Sequence, residues 1–193
     1  MSARKVNELL KRDLSKLRLR ALLLDGVEVK QQHLVTALGI DETRRKTMLG
    51  FHQGAREDQA ACDGLFSDLA ARGLNFRQLH LNLIDGSKAL RSGARKYCGD
   101  SSPILRCQLR NIVGHFASKG QAGGDRRLAN AYDLRSCREA KAALLRIQDE
   151  LNHVNPSAAR SLEEGLEETL TRHRLKVPVE LWKPACSGFS IRL

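Results

Sequence analysis

At 193 residues, with 33 Lys and Arg against 22 Asp and Glu and a formal net charge of +11, the chain is sized for one domain with a helical appendage, and its charge favours a polyanion such as nucleic acid over an acidic small molecule. Aromatic residues are only 4% of the chain, which leaves little material for base stacking and makes phosphate contact the expected mode of binding. Five irregularly spaced cysteines (Cys62, Cys98, Cys107, Cys137, Cys186) argue against a disulfide framework or zinc ribbon, and a charged N-terminus holds neither a signal-peptide apolar region nor a membrane span, so a soluble cytoplasmic protein is expected.

Taken in order, residues 6–19 place Val6, Leu9, Leu10, Leu14 and Leu17 at helical spacing, which predicts an amphipathic helix packed by its apolar stripe, with a solvated basic face. Three strands follow at 20–24, 33–40 and 46–52, with a turn at 41–44. Their connections are too short for crossover helices, so they should run as an antiparallel meander. Residues 57–72 are acidic at the start, apolar at Ala61, Leu65, Phe66 and Leu69, and stopped by Gly73, which predicts a crossover helix. It leads to a buried parallel strand at 81–84, an Asp85-Gly86 turn and a basic helix over 88–97 whose positive N-terminus faces the acid. Residues 104–107 suit a further parallel strand, and 120–125 a flexible break. From there 128–154 and 156–175 are rich in Ala, Leu, Arg and Glu without strand runs, so a helical segment follows the mixed one.

Two places repeat one form: Leu22-Leu23-Leu24-Asp25-Gly26 and Leu81-Asn82-Leu83-Ile84-Asp85-Gly86, each an apolar run, an Asp and a Gly. Carboxylates delivered by neighbouring strands can jointly hold a divalent cation, because hard oxygen ligands suit such ions. Out of context the same residues have plainer readings: Asp25 as a hairpin-turn residue, Asp85 as a turn acid or helix cap, Cys107 as a buried apolar thiol, Arg91 and Arg95 as a solvated surface. Three antiparallel strands, a helix, a parallel strand, a helix and another strand match the order of a ribonuclease H-like mixed sheet, here followed by an all-helical insertion segment. The expected division is a leading helix at 1–19, a partial catalytic core at 20–118, the helical insertion at 119–176 and a divergent tail at 177–193.

On those residues the chain resembles bacterial insertion-sequence transposases of the Mutator type. The resemblance is carried by Arg20-Ala21-Leu22-Leu23-Leu24-Asp25-Gly26, Val35-Thr36-Ala37-Leu38-Gly39-Ile40-Asp41 and Met48-Leu49-Gly50-Phe51. It continues through Asp68-Leu69-Ala70-Ala71-Arg72-Gly73-Leu74, Ile84-Asp85-Gly86-Ser87-Lys88-Ala89-Leu90, Arg106-Cys107-Gln108 and Asn155-Pro156-Ser157-Ala158-Ala159-Arg160-Ser161-Leu162. The shared order extends from about Leu14 to Leu175. The resemblance implies a ribonuclease H-like fold, an Asp-Asp-Glu triad binding Mg²⁺ (or Mn²⁺), and DNA transposition through metal-dependent strand cleavage and transfer. Its partners would be element-end and target DNA, with a second copy or a full-length transposase beside it, and no membrane. Carried over by position, Asp25 is the first acid and Asp85 the second, both catalytic and both metal ligands.

Three departures qualify what is carried over. Only 24 residues precede Asp25, where the family has a long DNA-binding region. The family's Cys, two residues, His pattern is broken, since Cys107-Gln108-Leu109 runs into Arg110-Asn111 and His115 is wrongly spaced. The family's Thr-Thr-Asn-x-Ile-Glu stretch, which holds the third acid, is replaced by Trp182-Lys183-Pro184-Ala185-Cys186 and the residues after it. Glu163, Glu164, Glu167 and Glu168 read as a solvated, salt-bridging helix face rather than as the third ligand. The chain is therefore expected to be a truncated copy, inactive alone. The alternatives are a non-catalytic DNA-binding or regulatory remnant, and a ribonuclease H-like nuclease needing a further carboxylate from Glu28 or Asp41.

Overall fold

The computed structural model describes residues 3–54, 59–107, 112, 124–178 and 181. The chain divides into two compact units, one built on Met1–Ile104 and the other on Leu105–Ser187.

In the first unit, α1 (Ala3–Lys11) leads into β1 (Leu19–Val29), β2 (Gln32–Asp41) and β3 (Lys46–Gly54), which form an antiparallel meander. Helix α2 (Gln59–Ala71) and a 3₁₀ turn (Phe76–Gln78) lead to β4 (Leu81–Ile84), which runs parallel to β1. Helix α3 (Lys88–Cys98) then leads to β5 (Ile104–Arg106) at the edge of a mixed five-stranded sheet of order β3-β2-β1-β4-β5. The change from antiparallel to parallel follows from connection length: Lys30-Gln31 suffices for a hairpin, whereas the return from β3 to β4 needs a helix.

Side-chain alternation splits the sheet into two faces. Leu22, Leu24 and Ile84 share one core with Leu65, Phe66 and Leu69 of α2 and Leu90 and Ala94 of α3. Burying a Leu or Phe of this kind contributes about 1.5–3 kcal/mol. The Phe66 ring stacks on Tyr97 at 5.0 Å between centroids and 9° between planes, which fixes α2 against α3. The contact is close enough that a Cβ added to Gly93 would meet the Phe66 ring at 2.6 Å, so glycine is required by space there.

Two sequence expectations are corrected here. The leading helix stops at Lys11 rather than running to residue 19. Asp13 accepts hydrogen bonds from the Ser15 backbone N–H and hydroxyl, both at 2.9 Å, offering the backbone an alternative to the helix. Leu14 is fully buried, and its N–H donates to the Arg72 carbonyl at 2.8 Å. The first strand does not end at Leu24: β1 continues through Asp25 and Gly26 to Val29, and the hairpin turn is made by Lys30 and Gln31, both at positive φ (49° and 64°). Asp25 is therefore not a hairpin-turn residue. The turn expected at 41–44 is present, with Asp41 Oδ1 accepting from the Thr43 N–H (2.9 Å), the Thr43 hydroxyl (2.7 Å) and the Arg45 N–H (3.0 Å).

From Gly124 the second unit is built of helices: α4 (Gly124–Asp133), α5 (Cys137–Val154) and α6 (Pro156–Arg174). Asn155 both ends α5 and caps α6, its side chain accepting from the Ala158 N–H at 3.2 Å while Pro156 occupies the first helical turn. Leu128, Tyr132, Leu144, Ile147, Leu151, Leu162, Leu166 and Leu170 form its core. The expected break at 120–125 lies partly outside the described residues, and helix has begun by Gly124. The tail from Trp182, with Cys186, and Gln108, Arg110, Asn111 and His115 also lie outside them. No helix among the described residues is long and apolar enough to cross a membrane.

Candidate active site

The parallel pairing of β1 with β4 sets Ala21 against Leu81, Leu22 against Asn82, Leu23 against Leu83 and Leu24 against Ile84. Neighbouring strands run about 4.8 Å apart, so the residues that follow the last pair, Asp25 within β1 and Asp85 just past the end of β4, stand at the same level. Each step turns away from the face carrying Leu24 and Ile84. The two acids singled out in sequence are thus brought together by one register, and a slip of a single residue would separate them.

Their surroundings differ. Asp25 is buried, with 5% of its surface exposed, and lies inside β1 opposite Thr36 of β2. The Thr36 hydroxyl donates to the Asp25 carbonyl at 3.1 Å, tying the side chain at this register position to the strand that presents the acid. Asp85 is half-buried at the end of β4, and its Oδ1 accepts from the Ser87 N–H at 2.9 Å. Ser87 in turn caps α3 by accepting from the Leu90 N–H at 3.2 Å. The turn role foreseen for Asp85 is therefore real. A carboxylate has about four acceptor positions, so this turn and a ligand role are not mutually exclusive. The N-terminus of α3 also directs its positive end toward this acid.

Beneath β4 lies a feature that the sequence reading passed over. Asn82 is fully buried in the middle of Leu81–Ile84. Its amide donates to the Ser102 hydroxyl at 2.7 Å and accepts from the Cys98 thiol at 3.4 Å, and its backbone N–H donates to the Pro103 carbonyl at 2.9 Å. This network ties β4 to the end of α3 and to the connection that leads into β5, which holds the strand delivering Asp85. Burial pushes the Cys98 thiol up to about 12, against a smaller opposing effect of the Asn82 hydrogen bond. The signal was available as the one polar residue in an otherwise apolar strand.

The other acids considered do not join the pair. Glu28 lies three residues beyond Asp25 on β1, so it points to the opposite face, and it is exposed. Asp41 pairs with Leu19 at the far end of β1 and is committed to its turn. On α6, Glu167 binds Lys141 at 2.7 Å and Arg174 at 2.6 Å. Glu168 is buried 4.0 Å from the buried Arg106 guanidinium, which corrects its reading as part of a solvated face; Glu163 and Glu164 are exposed as expected. Among the described residues, no group of three or more His, Cys, Asp or Glu side chains is placed to share a metal ion.

The basic helix is also partly committed to structure. Arg95 donates to the carbonyls of Asp100 and of Ser102, the latter at 3.0 Å, and Lys96 pairs with Asp63 at 2.9 Å. Cys107 is buried, as expected, but it is disulfide-bonded rather than a free thiol, a pairing that irregular spacing did not reveal.

A comparison with curated proteins finds no match to the chain. The family model described as Transposase, Mutator family matches residues 4–191, nearly the whole chain and both units. That match and the ordered motifs agree: this chain belongs to the Mutator family of transposases.

Proposed function

We propose that the sheet is a ribonuclease H-like core whose Asp25 and Asp85 hold a divalent cation for DNA strand cleavage and transfer in transposition. The observation that carries this reading is the parallel register of Leu24 with Ile84, which delivers both carboxylates from adjacent strands. The meander, the helical return to a strand parallel to β1 and the order β3-β2-β1-β4-β5 support the ribonuclease H-like assignment.

The donor chemistry fits Mg²⁺ or Mn²⁺, since both groups are hard carboxylate oxygens, one on strand backbone and one in the turn that follows a strand. A bound cation of this kind polarises a phosphoryl oxygen and stabilises charge on the attacking and leaving oxygens. Asp25, fixed inside β1, supplies a ligand whose position is set by the sheet. Asp85, held by the turn to Ser87, supplies one whose orientation is set by the start of α3. DNA is the substrate and partner of this reading, favoured by the net charge of +11.

The chain by itself is proposed to lack cleavage activity. Glu167 and Glu168 are engaged by Lys141, Arg174 and Arg106, and Asp41 is held in its turn, so these acids are committed elsewhere. The same commitments favour a second reading, a non-catalytic DNA-binding or regulatory protein. The test is a Mg²⁺- or Mn²⁺-dependent cleavage assay on element-end DNA with the purified chain beside Asp85→Ala. The proposal expects metal-dependent product from neither; cleavage by the parent that disappears in the variant would overturn the inactivity and leave the catalytic role of Asp85 standing.

A further inference from the structure

The helical unit holds a cluster of basic side chains that the reading above does not use. A cleft of 310 Å³ opens where the end of α4, the connection after it and the C-terminal turn of α6 meet, lined by Asp133, Leu134, Arg135, Arg172, His173 and Lys176 among others. Arg172 is occupied structurally: it is buried, lies 3.8 Å from Asp133 and donates to the Leu134 carbonyl at 3.4 Å. Arg135 and Lys176 are exposed, and their side chains have no partner among the described residues. Asp133 is thus balanced by Arg172, and the remaining charge of the cleft is positive.

Two details suggest that this charge serves a ligand. Lys176 sits at φ 49°, the left-handed position of a helix-ending motif in which the Val177 N–H donates to the Arg172 carbonyl at 2.8 Å and the Lys176 N–H to the His173 carbonyl at 3.3 Å. Glycine adopts that conformation without steric cost, so a lysine there adds an ammonium at the rim at the expense of backbone ease. Second, the His173 ring uses Nε2 with the Leu134 carbonyl at 2.8 Å, while its Nδ1 is buried with no hydrogen-bond partner among the described residues. With the Nε2 proton donated to that carbonyl, Nδ1 becomes a donor only when the ring is protonated, which is the form an anion stabilises.

We propose that this cleft is a phosphate-binding site that takes a backbone phosphodiester of DNA, with Arg135 and Lys176 supplying charge and the His173 ring forming part of its wall. The proposal rests on the DNA partner named above but not on the metal centre. The volume exceeds what one phosphate fills, which leaves room for the sugars on either side of it.

Protonation is coupled to binding. Burial, and then the Arg172 charge, hold His173 below the usual imidazole range, against an opposing effect of the Leu134 carbonyl, so the ring is neutral at pH 7. The other charged groups lining the cleft with it are Asp133 from α4, Arg135 from the connection and Lys176 after α6, while Tyr132 of α4 acts on the neighbouring Arg172. A phosphate oxygen favours the imidazolium, so binding takes up a proton and tightens as pH falls toward 6.

The test uses the full chain without divalent metal. Inorganic phosphate is titrated while the His173 ring is followed by NMR, assigned with His173→Gln, and duplex DNA binding is measured by fluorescence anisotropy at fixed salt. Expected are a saturable shift of the His173 ring and a rise in its pKa. In Arg135→Gln and Lys176→Gly, phosphate and duplex affinity should each fall at least three-fold, with a shallower salt dependence. Lys176→Gly should also melt at a higher temperature than the parent, which separates lost binding from lost folding. A linear, non-saturating phosphate response, or a Lys176→Gly chain that binds duplex as the parent does, overturns the proposal. Saturable phosphate binding with duplex affinity unchanged in both variants overturns the DNA assignment and leaves a free-anion site. The phosphate response of the His173 ring is read without divalent metal or DNA, so failure of the metal centre would not be mistaken for failure of this site.

Discussion

Leu24 of β1 stands opposite Ile84 of β4 in a parallel register, and the next residue on each strand is an aspartate. Two carboxylates presented at one level, Asp25 within β1 and Asp85 just past the end of β4, repel one another, and a cation between them relieves that repulsion. At an effective dielectric of about 20 and roughly 5 Å, the repulsion is on the order of a few kcal/mol before relaxation and screening. Asp25→Asn should therefore be at least as stable as the parent in the absence of metal, by about 1 kcal/mol, or roughly 2–4 °C in melting temperature. Added Mg²⁺ should raise the melting temperature of the parent and not of the variant. Thermal denaturation with and without the ion checks both parts.

Glu168 and Glu163 lie on one helix and carry the same chemistry, yet their expected costs of removal differ. Glu168 is buried beside the Arg106 guanidinium, and Thr169 also binds the Arg106 carbonyl at 3.0 Å. Glu168→Ala leaves a buried positive charge with one carboxylate fewer and should cost about 3 kcal/mol. Glu163→Ala, at an exposed position, should stay within about 0.5 kcal/mol of the parent. Urea denaturation of the two variants distinguishes them.

Gly93 tests the α2 to α3 packing. An alanine there gains about 1 kcal/mol in helix propensity, but its Cβ would meet a Phe66 ring already stacked on Tyr97. Overpacking of this kind costs about 1–3 kcal/mol, so Gly93→Ala should be net destabilising. A stabilised Gly93→Ala in the same denaturation experiment would show that the ring moves aside freely.

Cys98 predicts an alkaline limb of stability. Its thiol is raised from an ordinary 9.0 to about 12 by burial, so the folded chain binds more protons than the unfolded one between those values. The contribution is fully present below pH 9 and is lost as pH rises through 12. Cys98→Ser should flatten that limb, and native Cys98 should resist iodoacetamide at pH 8.5 until the chain is unfolded. Mass mapping of the alkylated thiol reads the second outcome.

How far the sequence reached depended on local chemistry. Leu81–Ile84 followed by Asp85, Gly86 and Ser87 was legible because a short apolar run, a turn and a helix cap all pointed the same way. The extent of β1 was not, because Gly26 to Val29 lack an apolar run and their pairing is dictated by β2. The turn itself uses Lys30 and Gln31, residues that carry no turn signal. The end of α1 was hidden because Leu14 and Leu17 continue the helical spacing while Asp13 breaks the backbone pattern. Asp25 and Asp85 could be named from sequence, but their common level required the register. Glu168 was misjudged because a helix-face pattern cannot say that Arg106, more than sixty positions earlier, packs against it.

The most direct measurement of the central claim is paramagnetic line broadening by substoichiometric Mn²⁺ in the ¹H–¹⁵N NMR spectrum of the full chain. The account predicts selective loss of the amide signals of Leu24, Asp25, Ile84 and Asp85, and their retention in an Asp25→Asn, Asp85→Asn double variant. Broadening centred on other carboxylates, or unchanged by the double substitution, would contradict it.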